Sequence, residues 1–247
     1  MSRRNGYFPK RYFNASGPME RLLIIVVAVI VLGIAVGVLL PRVSPQFVQL
    51  TGQYHATGTA AETLERLVVD DDVSTSGYSR DAFGYRETDD DGNGCDVRDD
   101  VLARDLTDVT YTKRGGCKVK TGVLQDPYTG KTIHFQRGQD TSSAVQIDHV
   151  VALQNAWQSG AKDWDKAKRF QYGNDMVNLL AVDGPANQGK GSSSAAYWLP
   201  TNGEFRCEYV ARQIGVKDKY GLSVTSQEKR AMLAVLHSCP GQAVPEE

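Results

Sequence analysis

The sequence predicts an α+β domain preceded by one N-terminal transmembrane helix. Two observations carry this. The nineteen residues Leu22–Leu40 form one apolar run, and after Gly77 short strand-like stretches mix irregularly with helix-like ones. Strands and helices without a strict βαβ alternation point to α+β architecture. A third observation sets the compartment: all four cysteines follow the apolar run. An even count there suits disulfides outside the cytoplasm.

Leu22–Leu40 contains no charged residue and no proline. At about 1.5 Å per residue it spans nearly 30 Å, the thickness of a hydrocarbon core. It is apolar on every face, unlike a half-buried surface helix. Arg3, Arg4, Lys10, Arg11 and Arg21 precede it, opposed only by Glu20. Residues 1–21 therefore read as a basic tail left in the cytoplasm. Pro41 and Arg42 follow directly, without a small-x-small cleavage signal. This gives a single-pass signal anchor over 22–40, in the cell membrane, with the C-terminal domain extracellular. Secretion after cleavage is the alternative.

Residues 41–76 read as a stalk with a short helix at 60–69. Thr59 and Glu62 have the capping-box spacing, and Leu64, Leu67 and Val68 form its apolar stripe. Asp70, Asp71 and Asp72 end the pattern. The domain proper is expected over 77–240, with a tail at 241–247. Val97, Val101, Leu102 and Leu106 recur at helical spacing over 96–106. Residues 109–112 and 117–123 alternate like strands. Asp126-Pro127-Tyr128-Thr129-Gly130 is a turn, because Pro fixes φ and Gly permits a positive φ. Further strands are expected at 132–135 and 144–150, helices at 152–159 and 163–172, and a strand at 177–182. A helix is expected to begin after Asn187. The last helices fall at 204–214 and 226–238, with Thr225 and Glu228 repeating the capping-box spacing. There is no internal repeat.

The formal net charge is -1, from 28 basic and 29 acidic residues. With the basic tail set aside, the remainder is mildly acidic. This excludes proteins that hold nucleic acid through a broad basic coat. Lys113, Arg114, Lys118 and Lys120 form one basic stretch; Lys162, Lys166, Lys168 and Arg169 form another. Such runs are usually solvated faces. They steer phosphate only where they line a site. Cys95, Cys117, Cys207 and Cys239 contain no C-x-x-C pair, which speaks against a zinc ribbon. Three disulfide pairings are open. Cys95–Cys117 with Cys207–Cys239 is favoured, since each pair brackets one local segment.

Three stretches carry the chemistry: Ile147-Asp148-His149-Val150-Val151-Ala152-Leu153, Asn174-Asp175-Met176-Val177-Asn178-Leu179-Leu180, and Asn187-Gln188-Gly189-Lys190-Gly191. A neutral imidazole near pH 7 can take a proton from water. A metal ion can neutralise phosphate charge and stabilise a leaving oxygen. His149 is the histidine flanked by a carboxylate in an apolar strand. Alternation along that strand sends Asp148 and His149 to opposite faces, so a bulge, or a position at the strand's end, is needed for both to reach one site. If the segment around Asn187 is helical, Lys190 lies one turn on and shares its face, within reach of a phosphate. Arg98 and Arg169 are weaker phosphate candidates.

The order and spacing of the three stretches resemble the HNH nuclease superfamily, whose core is two strands and a helix around a metal. Ala156-Trp157, Gly160-Ala161, Trp164, Arg169, Phe83-Gly84, Gly94-Cys95-Asp96, Arg98, Arg104-Asp105-Leu106 and Asp126-Pro127-Tyr128-Thr129-Gly130 narrow the resemblance. Over residues 78–240 the chain is similar to HNH endonuclease proteins of the secreted DUF1524 group, related to the GmrSD restriction endonuclease C-terminal domain. The resemblance implies an HNH (ββα-metal) fold and metal-dependent phosphodiester hydrolysis of nucleic acid, with DNA first. It implies His149 as general base, Asp148 as metal ligand and Asn187 in the place of the third HNH residue, also a ligand. It implies Asn178 as the middle residue, tying the loop that holds His149. Asn187 departs from the usual His. A carboxylate with an amide oxygen suits Mg²⁺, or Mn²⁺ in its place, better than zinc. No small-molecule cofactor is expected, and the oligomeric state is not written in the sequence.

Asp89, Asp91, Asn93, Gly94 and Asp100 fall at positions 1, 3, 5, 6 and 12 of a calcium loop. Asp stands where a bidentate Glu is usual, so Ca²⁺ competes here with a plain acidic turn into the helix capped by Asp96. Trp157, Trp164 and Trp198 read as core anchors, and His55, His134 and His237 as structural. Two rivals to the nuclease remain. One is a catalytically inactive, surface-anchored binding or cell-envelope module of the same fold. The other is a hydrolase of a wall polymer or phospholipid, for which no Gly-x-Ser-x-Gly motif is present.

Overall fold

The computed structural model describes residues 17–43, 54–84, 88–89 and 91–245. The chain divides into two units, Met1–Gln53 and Tyr54–Glu247. In the first, helix α1 covers Pro18–Val43. Its Pro18–Leu39 stretch is long and apolar enough to cross a membrane, and none of it is buried in protein. Most of the basic tail and the stalk residues 44–53 lie outside the described residues.

The second unit mixes helices and strands. Helix α2 (Thr59–Arg66) comes first, then a 3-10 turn at Arg80–Phe83 and helix α3 (Val97–Asp105). Strands β1 (Thr107–Tyr111), β2 (Val119–Gln125) and β3 (Thr132–Gln136) form an antiparallel sheet in that order. Strand β4 (Val145–His149) leads into α4 (Leu153–Gln158) and α5 (Lys166–Asn174). Strand β5 (Leu179–Asp183) then returns antiparallel to β4. Helix α6 (Gly184–Lys190) follows β5 without a loop and packs on both strands. Helices α7 (Arg206–Tyr220) and α8 (Ser226–His237) complete the unit.

Strand β5 explains how the core is divided. Side chains alternate between the two faces of a strand. Leu180 and Val182 enter one apolar cluster with Tyr209, Val210, Ile214 and Met232 of α7 and α8. Leu179 and Ala181 enter another with Val101, Leu102 and Phe135. A strand buried on both faces reads as a continuous apolar run, as Leu179–Val182 does. A third cluster joins Phe83 to Leu153, Trp157, Tyr172 and Tyr220.

Three elements differ from the pattern-based expectation. Helix α2, expected within the stalk, buries Ala60, Ala61 and Leu64 against α7 and α8. Thr59 does not cap it. Gly58, at φ 99°, occupies the N-cap position. The Ala60 amide donates to the Gln242 carbonyl at 3.1 Å, and the Thr59 hydroxyl accepts from the Val244 amide at 3.1 Å. The segment expected as a tail from 241 thus satisfies the free amide of the helix start. A Cβ at Gly58 would lie 2.5 Å from the Gln242 carbonyl, which explains glycine there. Helix α6 begins before Asn187, not after it. Asp183 accepts from the Ala186 amide at 2.8 Å, and Pro185 sits in the first turn. Such a cap and proline start a helix. Helix α7 runs on to Tyr220, because Val216, Lys217 and Tyr220 are buried, and stops at Gly221 in the left-handed conformation. Thr225 does cap α8, accepting from the Glu228 amide at 3.1 Å. The disulfides are Cys95–Cys117 and Cys207–Cys239, the favoured pairing.

Candidate active site

Strand β4 ends at His149, and its register with β5 is unbroken. No bulge turns the chain there. Asp148 and His149 nevertheless line one cleft of about 220 Å³, together with Asn187 and Gln146. They do so because the strand terminates, while their side chains bond in different directions. The Asp148 carboxylate meets Lys190 and Tyr128; the His149 imidazole meets α5.

Asp148 is 5% exposed. Its Oδ1 accepts from Lys190 Nζ at 2.9 Å, and its Oδ2 from the Tyr128 hydroxyl at 2.5 Å. Burial raises the proton affinity of the carboxyl, while the Lys190 charge and both hydrogen bonds oppose that rise. A buried carboxylate survives as an ion only with such partners. Tyr128 is fully buried, and its own proton is held well above the usual phenol range by burial and by Asp148. It therefore keeps its proton and donates it to Asp148.

His149 is 4% exposed. Its Nε2 bonds the Gly173 carbonyl of α5 at 2.8 Å. A carbonyl only accepts, so Nε2 carries the hydrogen and Nδ1 is the basic nitrogen of the neutral ring. Burial pushes its pKa down to about 3, with Arg80 and Lys190 adding to the fall and the Gly173 bond opposing it.

The backbone after His149 is bound at each polar group. Lys190 Nζ donates to the His149 carbonyl at 2.9 Å. The Val150 amide donates to the Asn178 carbonyl at 2.8 Å, and the Val150 carbonyl accepts from Gln213 at 2.9 Å. Asn178, fully buried, accepts from the Val151 amide at 2.8 Å and donates to the Val151 carbonyl at 3.3 Å. Tyr172 donates to the same carbonyl at 2.5 Å. Such redundancy fixes the exit of β4 and hence the imidazole.

The structure brings Asp148, His149 and Asn187 together and sets other expected residues apart. Lys190 is 1% exposed and reaches inward to Asp148, so it does not present its ammonium to a phosphate in the cleft. Arg98 donates to the carbonyls of Ser142 and Val145 at 3.3 and 3.0 Å, bracing the approach to β4. Arg169 donates to the Trp164 carbonyl at 2.7 Å. Neither lines the cleft. In the acidic loop, Asp89 accepts from the amides of Gly92 and Gly94 at 2.8 and 2.9 Å. Asn93 there donates to Asp91 and Asp100 at 3.0 and 3.2 Å. Among the described residues no group of three or more His, Cys, Asp or Glu converges to hold a metal ion.

Two cleft partners are not singled out by sequence pattern. Tyr128 sits inside the Asp-Pro-Tyr-Thr-Gly turn, a motif of the resemblance that assigns Tyr128 no part in the site. Arg80 lines the cleft from the 3-10 turn, far ahead of the three stretches.

A metal fits this donor set in one form only. Asp148 offers the lone pairs that Lys190 and Tyr128 leave, of about four on a carboxylate. Asn187 commits its Nδ2 to Gln146 at 3.0 Å, which leaves Oδ1 as its ligating atom. An all-protein cage is not available. Mg²⁺ requires less, because it keeps several waters and takes one or two protein oxygens beside substrate phosphate.

Residues 96–235 match the family model described as GmrSD restriction endonucleases, C-terminal domain. An uncharacterized secreted protein of Arthroderma benhamiae is 38% identical over 186 residues, covering 74% of this chain and 86% of that protein. No solved structure matches. The matched span includes β4, β5, α6 and every residue of the Asp148–His149–Asn187 cleft except those on the Arg80 turn. With more than half its length inside that match, the chain belongs to the family of GmrSD restriction endonuclease C-terminal domains.

Proposed function

We propose that this protein hydrolyses phosphodiester bonds of nucleic acid, DNA first, with His149 as general base. The observation that carries the reading is that Asp148 and His149 at the end of β4 and Asn187 of α6 line one cleft. Strands β4 and β5 with α6 then correspond to an HNH (ββα-metal) core. Membership of a restriction-endonuclease family supports the same chemistry.

In this reading water is deprotonated at His149 Nδ1, while the Nε2 hydrogen bond to Gly173 fixes the ring. A pKa near 3 makes the imidazole by itself a weak base. An anionic phosphodiester close to the ring favours the imidazolium, which raises the pKa toward the working range as substrate binds. Lys190 and Tyr128 keep Asp148 ionised and oriented. Asp148 and Asn187 would hold Mg²⁺, or Mn²⁺ in its place. When bound, that ion supplies charge neutralisation at phosphate and stabilisation of the leaving oxygen.

The full chain in detergent, incubated with supercoiled plasmid, tests this. Cleavage is expected with Mg²⁺ or Mn²⁺ and not with EDTA. His149→Ala should lower the rate roughly a hundredfold to ten-thousandfold, the usual range for a general base. An undiminished rate in His149→Ala removes the central assignment. The burial of His149 favours a second reading, an inactive binding module of the same fold. It requires DNA binding without cleavage under every metal condition.

The disulfides and the apolar helix support an extracytoplasmic domain, anchored by residues 22–40 in the membrane. Release by cleavage is the alternative; the relative of A. benhamiae is named as secreted.

A further inference from the structure

We propose that Arg80 is a substrate-binding residue of this cleft, its guanidinium pairing with a phosphate of nucleic acid held against Asp148 and His149. The assignment rests on the nuclease reading above and names the group that would hold the substrate's charge. It starts from an elimination. The other cationic side chains that the sequence offers for phosphate do not line the cleft: Lys190 reaches into the wall behind Asp148, and Arg98 and Arg169 bond backbone carbonyls away from it. Among the described residues lining the cleft, Arg80 is the one lysine or arginine. It is also exposed, so an incoming ligand can reach it.

The turn that carries Arg80 is fixed. Phe83, at its end, is fully buried, with its ring 5.9 Å from Tyr172 and 6.5 Å from Trp157. Trp157 Nε1 donates to the Ser76 carbonyl at 3.0 Å, holding the chain just before the turn. Trp157 and Tyr172 lie on α4 and α5, and α5 also supplies the Gly173 carbonyl that fixes His149. One wall therefore holds both the imidazole and the turn that carries Arg80. Arg80 lines the same cleft as Asp148 and His149. Guanidinium is suited to this role, since its planar fork can bond two phosphate oxygens. Arg80 lies before the family-matched span 96–235, so the segment ahead of that span completes the cleft.

The test uses the full chain in detergent. Cleavage of a duplex oligonucleotide gives kcat and KM, and anisotropy of a labelled duplex in EDTA gives Kd across a salt series. Arg80→Ala is expected to raise KM and Kd about tenfold. It should also flatten the slope of log Kd against log salt by about one, as one phosphate contact is lost. Arg80→Lys should keep the wild-type slope while binding more weakly than Arg. Arg80→Gln, which keeps a long polar stem, replaces Ala if thermal melts show the turn disturbed. Wild-type KM and slope in Arg80→Ala or Arg80→Gln would overturn the role of Arg80 and leave the nuclease reading standing. A wild-type chain that neither binds nor cuts DNA would overturn both.

Discussion

Lys190, Asp148 and Tyr128 show how one ion pair can support a site without touching the ligand. Lys190 Nζ lies 2.9 Å from both Asp148 and the His149 carbonyl, with its side chain out of water. Removing one partner of a buried pair strands the other, at about 3–5 kcal/mol. Lys190→Met is expected to lose stability on that scale in denaturant titrations and to raise the proton affinity of Asp148 further. Its cleavage should then need a higher pH. The sign for His149 is separate. The folded chain protonates it at about pH 3, while the unfolded chain does so near 6.5. Between those values the unfolded state binds more protons. The stability from this group is therefore full above pH 6.5 and falls as pH drops toward 3, by about 5 kcal/mol at most. Asp148, raised in the fold, acts in the opposite direction. Comparing urea midpoints of wild type and His149→Gln from pH 3 to 7 isolates the histidine, and the variant should show the flatter curve. At this scale the meeting of Asp148, His149 and Asn187 at one cleft, with Asn178 bonded to the backbone beside it, was legible because each sits in a short linear motif. Tyr128 and Arg80 were not, because the contacts that matter are made by folding. Lys190 misled for a physical reason, since lysine is rarely buried unless paired and its pairing is not visible in sequence.

Elements were legible where their periodicity is local. β4, β5, α3 and α8 fall within a few residues of the pattern. α2 was not, because its apolar stripe says that it packs but not on what. The start of α6 was hidden by its short length, although Asp183 and Pro185 carried the signal. That start is tightly built. A Cβ at Gly184 would stand 2.1 Å from the Ser143 carbonyl, a backbone atom on the approach to β4. Gly184→Ala must therefore shift α6 or β4, and with them Asn187 or His149. A loss of about 1–3 kcal/mol in thermal melts is expected, with reduced cleavage. Cys207 opens α7 and Cys239 closes α8, so their disulfide clamps the pair that buries α2. Cys207→Ser with Cys239→Ser should lower stability by about 2–5 kcal/mol in denaturant titrations, with residues 54–66 becoming the first to exchange amide hydrogen.

For the whole molecule, the N-terminal apolar helix was legible, since an apolar run of that length needs no tertiary information to be read. The favoured cysteine pairing, Cys95–Cys117 with Cys207–Cys239, is the one the fold shows, because each pair brackets a local segment. The sequence did not supply the cleft, which requires segments from Arg80 to Asn187 to meet. Anchoring has its own test. The chain should remain in the membrane pellet after an alkaline carbonate wash, with an intact mass that includes residues 1–21; a soluble form beginning after residue 40 would mean cleavage. The central claim concerns His149 as the group that takes the proton. The most direct measurement is plasmid cleavage by His149→Gly at fixed Mg²⁺, with and without added imidazole. The account requires a rate far below wild type that rises with the concentration of neutral imidazole. A His149→Gly chain that cuts at the wild-type rate with no imidazole present would contradict it.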